Sequence, residues 1–116
     1  MGLFDKLLGR RQQDNSQEAV LIHFDLGSKS NGHHLGFDDM VDLEEKLIAV
    51  IERHHVGELD GNEIGETDGT IFTYGPDANR LFTVVEPVLR GHPLSRGARV
   101  VIRKGGPGSP QTEVRL

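Results

Sequence analysis

The residues best equipped for chemistry in this 116-residue chain are six histidines and a crowd of acids near its middle. His33-His34 and His54-His55 are adjacent pairs, His23 falls within an apolar-polar alternation, and His92 stands between a glycine and a proline. Imidazole nitrogens ligate zinc, copper or nickel. Neighbours on a strand or helix point apart, however, so a site would need histidines from different elements plus an acid. No metal centre is expected.

Glu58, Asp60, Glu63, Glu66 and Asp68, with Asn62, crowd the segment "ELDGNEIGETD". Read from Asp60 as a calcium loop, Asp60, Asn62 and Gly65 fit the pattern, but Ile64 and Ile71 occupy positions that require oxygen ligands. The motif fails, which leaves a solvated acidic hairpin. With no cysteine there is no thiolate nucleophile, and no nucleophile elbow or phosphate loop appears. Asp38-Asp39 and Glu44-Glu45 are neighbours that point apart on a helix, so neither is a general acid/base pair. No pattern asks for catalysis, and no cofactor is expected.

The formal net charge of −5 argues against nucleic acid, whose binding needs a basic footprint. "LIHFDL" and "GTIFTYG" faintly resemble the two RNA-stacking strands of RNA-recognition motifs, but the first lacks an aromatic and the second a basic residue. The opening "MGLFDKLLGRR" sets Leu3, Phe4, Leu7 and Leu8 on one helical face. Residues 1–11 therefore offer weak membrane docking, without the Ser or Thr that myristoylation wants where Lys6 stands. No apolar run reaches the roughly 20 residues that span a bilayer, and no secretory pattern is present. Absence of cysteine adds no support for an oxidising compartment, so a cytoplasmic location is expected.

Residues 1–17 read as a short amphipathic lead helix with a polar linker, residues 18–104 as the folded domain, and residues 105–116 as a Gly/Pro-rich turn with a short return strand. In the first strand, Glu18 to Leu26, the alternation places Val20, Ile22, Phe24 and Leu26 on one face and Leu21, His23 and Asp25 on the other. Met40, Leu43, Leu47, Val50 and Ile51 then recur at helical spacing, started by Asp38 or Asp39. A hairpin with an irregular, glycine-rich first arm follows, its second arm carrying "TIFTY".

"TYGPDANRLF" turns that arm into a second helix over 76–90. Pro76 suits the first helical position, Gly75 the tight entry, and Asp77 the positive end of the dipole. The same helix start has an anion-binding alternative, which the charge of Asp77 opposes. Pro87 predicts a kink or an early end near Glu86. "ARVVIRK" is the next strand. Strand, helix, strand, strand, helix, strand is the order of the ferredoxin-like α+β sandwich, a four-stranded antiparallel sheet with both helices on one face.

The segments "GELDGNEIG", "YGPDANRLF" and "VEPVLRGHPLSRGARV" are similar to those of a set of small bacterial proteins without an assigned activity. The resemblance implies one compact bacterial domain and no particular chemistry.

The expected function is protein binding, to a partner or to a second copy in a homodimer, through the sheet face that carries no helix. Leu21, Ile71, Thr73 and Val101 are the interface candidates, although Ile71 and Phe72 are both apolar and leave the inward face of their strand open. The alternative is a small-molecule or enzymatic site between that face and the loop after the first strand. Its polar candidates are His23, Asp25, Lys29 and Tyr74.

Overall fold

A computed structural model of the protein describes residues 17–26 and 37–116. Five strands and two helices follow in order: β1 (Glu18–Asp25), α1 (Phe37–His54), β2 (Glu58–Ile64), β3 (Asp68–Gly75), α2 (Ala78–Arg90), β4 (Arg99–Arg103) and β5 (Gln111–Arg115). They build one sheet in the order β2-β3-β1-β4-β5, with every neighbouring pair antiparallel. The first four strands thus have the ferredoxin-like arrangement, with β1 and β3 inside. The last residues add β5, which hydrogen-bonds along β4 and moves it off the sheet edge.

Both helices cover the same face. Val20, Ile22 and Phe24 of β1, Ile71 of β3, and Val100 and Ile102 of β4 meet Met40, Leu43, Leu47 and Ile51 of α1 and Leu81, Val85 and Leu89 of α2 in one core. Burial of such aliphatic side chains contributes roughly 1.5–3 kcal/mol each before the entropy of ordering is counted. Thr73 belongs to this inner face as well. Its hydroxyl donates to the Val20 carbonyl at 2.7 Å, which explains how a polar side chain is accommodated at zero exposure.

One expectation about α2 needs correction, and one of the two outcomes expected of Pro87 is excluded. Pro76 lies outside the helix, and Asp77 is its N-cap, with Oδ1 accepting from the Arg80 N–H at 3.1 Å. A carboxylate in that place satisfies an orphan donor directly. Pro87 does not end the helix, which continues to Arg90. Thr83, whose carbonyl loses its usual partner, lies with Pro87 on the exposed side of the helix, where solvent can replace the missing N–H.

The corner at "TYGP" is set by a backbone crossing. The chain leaves α1 through His55, at φ 52°, and runs past the end of β3 so closely that Gly57 and Gly75 touch backbone to backbone. In β2 the register slips between Leu59 and Gly61. Asp60 sits in that bulge at 5% exposure, so the acidic hairpin is not solvated throughout.

Candidate functional site

The register defines the sheet face opposite the helices. Three rows cross it from β2 to β5, because directly paired residues share a face. The middle row is Gly61, Phe72, Leu21, Val101 and Glu113. On one side of it run Glu58, Tyr74, Ala19, Arg103 and Gln111; on the other run Glu63, Thr70, His23, Arg99 and Arg115. The face is apolar at its centre, acidic along β2 and rich in arginine along β4 and β5. Leu21 and Phe72 are half-buried there, while Val101 and Tyr74 are nearly covered.

Of the four interface candidates, Leu21 and Val101 lie on this open face, cross-strand partners in its middle row. Ile71 and Thr73 do not. Pairing of Ile71 with Ile22 and of Thr73 with Val20 turns both toward the helices, and both have zero exposure. Phe72 and Tyr74 take the outward places instead.

The ligand candidates separate. His23 and Asp25 line a cavity of about 390 Å3 at one end of the face, together with Asp68, Thr70, Arg99 and Arg115. Tyr74 pairs with Ala19, four residues along β1 from His23 and about 13 Å away at strand rise. It therefore has no part in that cavity. Lys29 lies outside the described residues, as do Leu3, Phe4, Leu7 and Leu8.

His23 is held by Thr70, with Nδ1 and the threonine Oγ1 2.9 Å apart. Burial is the main cause that lowers its pKa below 6.5; Arg99 lowers it further, and Glu113 and Asp68 act the other way. Folded His23 thus resists a proton that the unfolded chain accepts. The contribution of His23 to stability is expected to fall as pH drops below 6.5 and through the lowered folded value, and then to level off. Denaturation midpoints measured from neutral to mildly acid pH check this: His23→Gln should fall less steeply than wild type, and superimposable profiles would refute the assignment.

Other polar groups are structural. The N-terminus of α2 is filled by two of the chain's own carboxylates, Asp77 at the cap and Glu18, whose Oε1 accepts from the Ala78 N–H at 2.8 Å. That leaves the two donors satisfied from within and favours the corner over an anion site. His92, buried in the loop after α2, accepts the Leu94 N–H on Nδ1 at 3.1 Å, which leaves Nε2–H to donate to Asp42 Oδ2 at 2.9 Å. Asp42 also accepts from Lys46, and these two hydrogen bonds, Lys46 first, lower its pKa. The pairing ties α1 to a loop 50 residues away. Only the identities of the two residues, not their spacing, could have suggested it.

Among the described residues no group of three or more His, Asp or Glu is placed to hold a metal ion, and no helix is long and apolar enough to cross a membrane. The chain matches no protein-family model and no solved structure.

A cell-division protein is partly similar. The cell division topological specificity factor of Herpetosiphon aurantiacus is 40% identical over 60 residues, which cover 47% of this chain and 61% of that protein. The chain thus spans less than two thirds of the length of the curated relative it matches.

Proposed function

We propose that the chain is a small, non-enzymatic regulatory module that acts by binding protein through the open face of its sheet. The observation that carries this reading is the middle row, Phe72, Leu21 and Val101, on a face that neither helix covers. An apolar centre rimmed by charge is the usual anatomy of a protein interface. The partial similarity to a cell division topological specificity factor supports a regulatory role.

The test compares wild type with Leu21→Glu, alone and combined with Val101→Glu, by solution mass and by capture of proteins from the host lysate. Melting curves confirm that each variant is folded. Loss of a bound protein or of a dimer in folded Leu21→Glu supports the module; unchanged mass and capture in both variants rule out this face.

The cavity beside His23 favours a second reading, a small-molecule site. Half-burial and a lowered pKa at His23 fit such a site. Native mass spectrometry of the protein as purified separates the two readings, since a monomer carrying a small molecule would support the site and count against the module.

A further inference from the structure

Charge is distributed unevenly over the open face. Glu58 and Glu63 project from β2 at one side, whereas Arg99, Arg103 and Arg115 project from β4 and β5 at the other, with Glu113 between them. Arg99 and Arg115 are direct cross-strand partners, an arrangement of like charges that costs stability in an isolated sheet and that Glu113, 2.7 Å from Arg99, relieves only in part. A surface divided in this way suits an occupant divided in the opposite sense. The chain itself is such an occupant.

We propose that two copies of the chain pair face to face about a two-fold axis that runs along β1, between the two sheets. The proposal rests on the protein-binding reading above and names its partner. An axis in that direction lays β2 of one copy over β5 of the other, and β3 over β4, with each row on its own row. Glu63 then faces Arg115 of the second copy, and Arg103 comes over Tyr74. Leu21 meets Leu21, and Phe72 meets Val101.

Glu113 comes over Gly61. A Cβ built on Gly61 meets nothing within 4 Å, so there is room for a side chain from outside. Turning the axis by a right angle instead sets β2 on β2, acid against acid, and β4 and β5 on themselves, arginine against arginine. Like-charge juxtaposition of that kind disfavours the second arrangement. In the favoured one, the like-charged meeting is Asp25 with its own copy, at the end of the strand, where solvent screens it.

The decisive experiment is a charge exchange in the full chain. Wild type is expected to sediment as a dimer. Glu63→Arg sets arginine against arginine twice and Arg115→Glu sets acid against acid twice, so each variant alone should dimerise about tenfold more weakly or worse. Mixed in equal amounts, the two variants restore opposite charges at both contacts, and a heterodimer should form in preference to either homodimer. Both positions are exposed, so the fold is not at risk. Gly61→Glu, opposite Glu113, should weaken the dimer as well.

A dimer indifferent to both exchanges, or a mixture without rescue, overturns the proposal. So does a wild-type monomer. If that monomer still captures a protein that Leu21→Glu loses, the open face serves a different partner and the binding reading stands; if it captures none, both fail.

Discussion

Gly57→Ala is expected to destabilise the protein by about 3–5 kcal/mol, the range in which single substitutions become exceptional. Two independent causes act at this position. Its φ of +149° is one that side chains rarely adopt, and an added Cβ would run into the Tyr74 carbonyl oxygen and approach Gly75 Cα to 3.0 Å. The obstacle is backbone on both sides, so no rotamer change relieves it. Gly75 meets the same close approach from the other side, against the Val56 carbonyl.

Gly61→Ala is the control. It lies four residues further on, within β2, no neighbour meets the added methyl, and φ is not positive, so its effect should be small. Urea denaturation of the three proteins measures the difference. A midpoint for Gly57→Ala close to wild type would mean that the chain does not cross β3 as described.

Ile22→Ala should cost about 2–5 kcal/mol, as removal of a fully buried aliphatic side chain does when its surroundings relax only in part. Ile22 lies between Ile71 and Val100 on the inner face, beneath both helices. Leu21, its neighbour, points the other way and is half-buried, so Leu21→Ala should cost clearly less. Because these residues are adjacent, the comparison tests which face of β1 is inward and little else. Equal losses, or a larger loss at Leu21, would reverse the sheet and remove the basis for an open docking face.

The element order and the inner face of β1 were legible in the sequence, since alternation in "VLIHF" has one apolar set that fits a core and one that is mixed. In β4, "RVVIR" was legible for a similar reason, with Val100 and Ile102 inward and Val101 outward. β3 was not. Ile71 and Phe72 are equally apolar, and the deciding fact is a pairing with residues about 50 positions earlier. Thr73 misled because its hydroxyl is satisfied by the Val20 carbonyl, a partner that composition does not reveal. The start of α2 is placed two residues too early by the sequence, at Pro76 in place of Ala78, since proline and aspartate both suit a first turn and only the backbone angles distinguish them.

The candidate site was legible only in part. His23 and Asp25 share a cavity because they are two residues apart on one strand, which alternation implies. Tyr74 shares their face but not their end of it, since antiparallel register, not sequence distance, sets that separation. The acid-to-arginine gradient across the face was hidden for the same reason: β2 and β5 are far apart in the chain, and their charges line up only once the strand order is known.

The central place of β1 also orders how the backbone opens to solvent. Its amides are enclosed by β3 on one side and β4 on the other, so their deuterium exchange requires the whole sheet to come apart, whereas the outer edges of β2 and β5 exchange through fraying alone. A partner docked on the open face leaves those outer edges uncovered and preserves this ranking. One that adds a strand to β2 would instead protect that strand first, so exchange rates tell face docking from edge docking without knowledge of who the partner is.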